Sequence, residues 1–313
     1  MRILVTGSIA YDTIMVFPDR FRNHLLADQL HILNVCFLTP EMRREYGGTA
    51  GNIGYNLNLL GEDPMVMATV GEDIGPYLER LNALDIGTRL LKRIPGQFTA
   101  QAFITTDLDD NQITAFHPGA MNYSHENRLT RELGAGIAIL APDGKEGMLQ
   151  HARQCAEHSV PFLFDPGQGL PMFSRAELDE FLRLADYVAV NDYEGKMLEE
   201  KTGRKLDELA RQVKALVVTL GAQGSLLLAA GQRLEVPCVQ AGSVIDPTGC
   251  GDAYRAALLY GIAHGWDWMN TGKLAAVMGA IKIAHRGAQN HKTGRDEIET
   301  RFRRAFGYSP WKG

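Results

Sequence analysis

No stretch of this 313-residue sequence reaches the roughly 18 to 20 consecutive apolar residues that a membrane-spanning helix needs. Membrane partners are therefore not expected. Cysteine is scarce: Cys36, Cys155, Cys238 and Cys250 lie far apart with no CxxC pair, which removes zinc-finger and dithiol-redox readings and leaves four expected reduced thiols. Basic charge is in deficit, with 32 Lys and Arg against 37 Asp and Glu and no Lys/Arg block, so nothing attracts a nucleic-acid backbone or an anionic lipid surface. The chain also lacks GxxxxGK[ST], HRD with DFG, HExxH and GxSxG, and reads GSIAYD where a dinucleotide-binding protein would carry GxGxxG. P-loop, protein-kinase, zincin, serine-hydrolase and Rossmann-oxidoreductase readings all lose their support. The N-terminal MRILVTGS leads directly into a strand pattern, and the protein is expected to remain in the cytoplasm.

What is present is an ordinary globular composition, 45% hydrophobic and 22% charged. Short β-rich runs alternate with helical patterns, the mark of a mainly parallel sheet covered on both faces, a three-layer α/β/α sandwich. Strands are expected at Ile3–Thr6, Met65–Val70, Ile137–Leu140, Phe162–Phe164, Tyr187–Val190 and Leu216–Thr219. Helices are expected over Asn52–Leu60 and Ser174–Ala185, the second with Ser174 as N-cap and Glu177 three residues on. Residues 13–46 and 97–117 break this rhythm; the second reads as a hairpin turning at Asp109-Asp110-Asn111. Together they are expected to form a small β lid over one edge of the sheet, leaving 1–12, 47–96 and 118–313 as the α/β core.

The most informative segment is Asp246-Pro-Thr-Gly-Cys-Gly-Asp252, which runs into a helical pattern. Gly249 and Gly251 leave the backbone unshielded where a helix begins, so the amides of 249 to 252 can converge on an anion with the helix dipole behind them. An acidic side chain beside such a site repels its ligand, unless it faces an incoming hydroxyl and accepts its proton. Taken alone, the segment is equally a glycine-rich turn with Asp252 stabilising the helix dipole. A second segment, Gly47-Gly48-Thr49-Ala50-Gly51-Asn52, pairs glycines that can let a ligand approach the backbone with an amide that both donates and accepts.

DPTGCGDAYRA resembles the C-terminal signature of the ribokinase-like carbohydrate and nucleoside kinase family, and GGTAGN resembles its N-terminal signature. The resemblance implies Asp252 as catalytic base, with Gly249, Cys250 and Gly251 forming the anion hole; Cys250, Tyr254 and Arg255 depart from the residues usual there. It further implies Asp12, Gly48 and Asn52 as acceptor-binding residues. Asn191-Asp-Tyr-Glu194 resembles the family's Asn-x-x-Glu motif, which makes Asn191 a nucleotide-site residue and Glu194 a magnesium residue acting through water. Without the family, the same pair reads as a capping box. Thr219, Gly221 and Gly224 fall where the family binds ATP, and Asp246 where many members hold a monovalent cation, so a potassium site bordered by 285–289 is an expectation. These motifs span residues 4–290 in family order.

Acceptor choice should lie in the lid. The hairpin carries Phe103, Gln112 and Phe116, an aromatic and apolar set that suits a flat base better than a sugar phosphate, which would call for Arg or Lys. Phe116 and Gln112 are the expected base contacts, with Asn34 a further one. Lid character resembles the bacterial and archaeal adenosine and broad nucleoside kinases, which implies transfer to a nucleoside 5′-hydroxyl. A ribokinase, fructokinase or phosphofructokinase activity and a non-catalytic nucleoside sensor stay open. Exposed lid edges suggest a homodimer.

Overall fold

Alternation with a period of two sorts the apolar strand residues onto the two faces of one large sheet. The computed structural model describes all residues except 26–30, 33, 110, 312 and 313. In chain order the first strands are β1 (Ile3–Thr6), β2 (Ala10–Val16), β3 (Glu41–Gly47), β4 (Met65–Val70), β5 (Leu90–Arg93), β6 (Ala100–Thr106) and β7 (Gln112–His117). The remainder are β8 (Ile137–Leu140), β9 (Phe162–Phe164), β10 (Tyr187–Asn191), β11 (Ala215–Thr219), β12 (Ser225–Ala229) and β13 (Gln232–Val236). The helices are α1 (Thr49–Leu59), α2 (Gly75–Ala83), α3 (Lys145–Glu157), α4 (Arg175–Leu184), α5 (Asp192–Thr202), α6 (Leu206–Leu209), α7 (Cys250–Ala263), α8 (Trp268–Ile283) and α9 (Arg295–Phe306).

Nine strands form the main sheet in the order β13-β12-β11-β10-β9-β8-β1-β4-β5, parallel except where β12 and β13 turn back. Ile3, Val5, Val66 and Ile139 face α1, α2, α7, α8 and α9, while Leu4, Met67, Phe164 and Val188 face α3 and α4. The result is the expected three-layer sandwich. Four of the expected strands have the observed boundaries, and the other two gain one residue each. Ser174 caps α4 through a capping box with Glu177, as its spacing implied. Helix α1 begins at Thr49 rather than Asn52, because Gly48 at φ +85° supplies the turn out of β3 that lets the helix start earlier.

A separate four-stranded sheet has the order β3-β2-β6-β7. Here the expected boundary after residue 12 is corrected. β2 runs unbroken from Ala10 to Val16, paired residue by residue with β3 and β6, so Asp12 belongs to the small sheet and not to the large one. The β6–β7 hairpin forms as expected, with Gln112 opposite Thr106 and Phe116 opposite Ala102. Among the described residues no helix is long and apolar enough to cross a membrane.

Candidate active site

In a parallel sheet the strand carboxyl ends open onto the crevice where ligands bind. Here Ser8 follows the end of β1 and Asp165 the end of β9, β10 ends at Asn191 and β11 at Thr219, and the N-terminus of α7 joins them. Gly249 is the N-cap of α7 in the left-handed region, φ +79°, and a Cβ there would stand 2.8 Å from the Ala288 Cβ. Only glycine suits that position. None of the described backbone hydrogen bonds uses the amides of Gly249, Gly251 or Asp252. Cys250 corrects one expectation: its amide donates to the Pro247 carbonyl at 3.0 Å, closing the turn that presents the other three.

Asp252, in the first turn of α7, is half-buried, and Asn52 Nδ2 donates to its Oδ2 at 2.8 Å. Burial lifts its carboxyl to about 7; the Asn52 hydrogen bond and the Arg255 charge oppose that shift, whereas the charges of Asp165 and Asp12 add to it. Two sequence segments 200 residues apart thus meet at one hydrogen bond. Behind them stands a residue whose part the sequence did not reveal. Gln289 Nε2 donates to Asn52 Oδ1 at 2.9 Å and to the Tyr77 hydroxyl at 2.6 Å, and Tyr77 donates to the Gly47 carbonyl at 2.8 Å. With its oxygen held by Gln289, the Asn52 amide can present only its NH2 to Asp252. Gln289→Leu is therefore expected to free that amide, weaken the bond to the carboxylate and move the acid limb of kcat/KM to higher pH. A pH–rate profile of this variant beside the parent checks it.

Asp12 faces the same region. None of the described hydrogen bonds reaches its carboxylate, and burial, followed by the charges of Glu45 and Asp246, raises it to about 6. A Cβ at Gly47 would come within 2.6 Å of its Oδ2, and one at Gly48 within 2.5 Å of the Ala10 amide and the Ser8 carbonyl. The paired glycines are required by this close approach of two strands.

Strand register decides the lid residues. Glu45, Asp12, Ala102 and Phe116 lie side by side on one face, with Ile14 and Ile104 in the next row. Phe116 is thus about 10 Å across the sheet from Asp12, on the same face. Gln112 shares that face but stands four residues further along β7, about 13 Å from Phe116, too far for both to engage one ring system. Phe103 lies on the opposite face, in the row of Arg44, Thr13 and Ala115. Asn34 is exposed and outside any strand. Arg43, on the Asp12 face, lies 3.3 Å from Glu45.

On the opposite side of the crevice, Asn191 and Thr219 are register partners at the ends of β10 and β11. Gly221 (φ +58°) and Gly224 (φ +89°) shape the turn that follows. Asn191 and Glu194 form a reciprocal capping box: Glu194 N donates to Asn191 Oδ1 at 2.7 Å and Asn191 N to Glu194 Oε2 at 2.8 Å. Beneath them Arg255 donates to both Asp165 oxygens at 3.1 Å and lies 3.9 Å from Glu194. Asp165 and the structural part of Arg255 were not legible in the sequence.

A glycine-bracketed helix N-terminus with a half-buried carboxylate in its first turn, on this α/β scaffold, is an arrangement suited to a phosphotransferase that acts on an alcohol. Residues 11–293 match the family model described as pfkB family carbohydrate kinase, and the chain belongs to that family. It is 31% identical over 271 residues to a nucleoside kinase of Methanocaldococcus jannaschii, covering 86% of this chain and 89% of that one. It is 52% identical to the nucleoside kinase of Burkholderia thailandensis, solved with inosine, at a TM-score of 0.88 over 99% of this chain and 100% of that one. The same enzyme solved as an ADP-inosine complex superposes with a TM-score of 0.86 over 99% of this chain and 98% of that one.

Proposed function

We propose that this kinase transfers the γ-phosphoryl group of ATP to the 5′-hydroxyl of a nucleoside, with adenosine and inosine among its acceptors. The observation that carries the reading is the Asp12 face of the lid. It offers Phe116, Ile14 and Ile104 to the acceptor, and its cation Arg43 stands against Glu45, so the surface suits a flat base and not a second phosphate. The similarity to nucleoside kinases supports the same choice. Asp12, Gly48 and Asn52 hold the ribose, Asp252 takes the 5′-hydroxyl proton, and the amides of Gly249, Gly251 and Asp252 stabilise the transferring group. Thr219, Gly221 and Gly224 border the nucleotide. Asp165, Glu194 and Asp252 set three carboxylates against Arg255, an excess of negative charge that suits a magnesium ion held through water by Glu194 and Asn191. Bound there, magnesium would neutralise charge on the phosphates.

The test is ADP release with Mg-ATP across adenosine, inosine, guanosine, cytidine, ribose, fructose and fructose 6-phosphate. Turnover of nucleosides supports the reading. Turnover of sugars alone rejects the lid argument, and nucleoside binding without turnover marks a sensor. Because the base must be ionised, kcat/KM should rise with pH through about 7.

The face of the lid away from Asp12 exposes Met42, Phe103 and Ile113, and β7 leaves an open edge. This surface is where two copies are expected to pair into a homodimer. Sedimentation equilibrium checks this: a monomer at assay concentration rejects it, and a dimer broken by Ile113→Lys supports it.

A further inference from the structure

Helix α8 is apolar along most of its length, yet its last turn carries Lys282, a side chain with no exposed surface. A buried lysine is rare and needs acceptors. Its Nζ donates to the Asp246 carbonyl at 2.7 Å and to the His285 carbonyl at 3.1 Å. Asp246 opens the loop that leads to Gly249, and each oxygen of its side chain accepts a backbone amide. Oδ1 accepts from Thr248 N and Oδ2 from Gly287 N, each at 2.8 Å. The end of α8 takes hold of the same loop, because the Ile283 carbonyl accepts from the amides of Ile245 and Asp246. The loop that presents the phosphoryl-binding amides is thus fastened to the loop after α8, and one ammonium group stands at the junction.

That position bears on the potassium site expected beside Asp246. An ammonium group has the charge of a potassium ion and a similar size, and it takes the same carbonyl donors. Here the Asp246 and His285 carbonyls already carry the lysine, and a second cation drawn to them would stand against its ammonium charge, so the residues present do not fit a monovalent ion at that junction. The charge is also favourably placed, at the C-terminal end of a helix whose dipole is negative there. Burial pushes the lysine below its usual pKa, and the charge of Asp246 opposes that shift.

We propose that Lys282 is the built-in monovalent cation of the phosphoryl-transfer loop, and that turnover by this kinase does not depend on potassium. Lys282 touches no reacting atom; it is a positioning residue that holds the turn 246–249 so that the amides of Gly249 and Gly251 converge. The inference rests on reading Gly249–Asp252 as the phosphoryl-transfer site.

The experiment compares wild type and Lys282→Ala in buffers whose monovalent cation is either potassium or tetramethylammonium, a cation too large for a carbonyl cage. Wild-type kcat is expected to agree within about twofold in the two salts. Lys282→Ala is expected to lose about 10²-fold in tetramethylammonium and to recover in potassium or in methylammonium, which refill the vacated position. Strong activation of the wild type by potassium would overturn the proposal, whether or not the variant folds. So would full activity of Lys282→Ala in tetramethylammonium, or a folded variant that no cation restores. Failure of the underlying site reading appears separately, as turnover that survives Asp252→Asn.

Discussion

Replacing Asp252 with Asn is expected to lower kcat by roughly three orders of magnitude while leaving the protein at least as stable as the parent at neutral and alkaline pH. The two halves of this expectation have one cause. Burial raises the Asp252 carboxyl from 3.8 to about 7, so its ionised form is the less favoured one in the folded protein. A carboxyl raised on folding contributes stability that is complete below its unfolded value of 3.8 and is lost as pH rises through about 7. Above that pH the protein carries an ionised Asp252 at a cost in stability, and Asn removes the charge together with the proposed proton acceptor. The Asn side chain also cannot accept a hydroxyl proton in the transition state, so kcat falls even where substrate binding persists. Steady-state kinetics and thermal melts at pH 6 and pH 8.5 check both halves. A variant that keeps its turnover refutes Asp252 as base, and one that melts well below the parent at pH 8.5 refutes the account of its burial.

Arg255→Met is expected to destabilise the fold by about 3–5 kcal/mol, because it leaves buried carboxylates without their counter-charge. Arg255 and Asp165 are 5% and 6% exposed at the side chain, and the guanidinium grips both Asp165 oxygens. Glu194 shares this environment; burial raises its carboxyl, Asp165's charge adds to that, and Arg255 opposes it. The double variant Asp165→Asn, Arg255→Met should recover much of the loss, since it removes the unpaired charge while keeping similar volumes. Urea unfolding of parent, single and double variants gives the coupling directly. A single variant as stable as the parent would mean that the pair is not sheltered from water. Arg255 also lowers the Asp252 value, so the single variant should in addition shift the pH–rate limb upward.

The main sheet was legible because its strands are short apolar runs bounded by turn residues, and such runs declare themselves locally. Its edge strand β5, with the pattern Leu-Leu-Lys-Arg and no buried residue, sends no such signal. The lid hairpin was legible for the same reason as the core strands, but its facing was not. Whether Phe103 or Phe116 turns toward Asp12 depends on the register between β2 and β6, strands about 90 residues apart, and a slip of one residue would exchange the two. Cys250 misled because glycine spacing predicts where a helix begins and not which of its first amides a preceding turn will consume.

By itself the sequence determined the class of fold, the place of the glycine-bracketed turn that opens α7 and the pairing of glycines beside Asp12, all of which are written in short contiguous patterns. Only the tertiary structure decided which groups act together. The chain from Gln289 through Asn52 to Asp252, the Arg255–Asp165 pair and the ammonium of Lys282 on the Asp246 carbonyl each join residues that are distant in sequence or of no distinctive type. The physical reason is that a hydrogen bond or an ion pair depends on distance, direction and burial. Those quantities are set where separate elements pack, and no local pattern of residues encodes them.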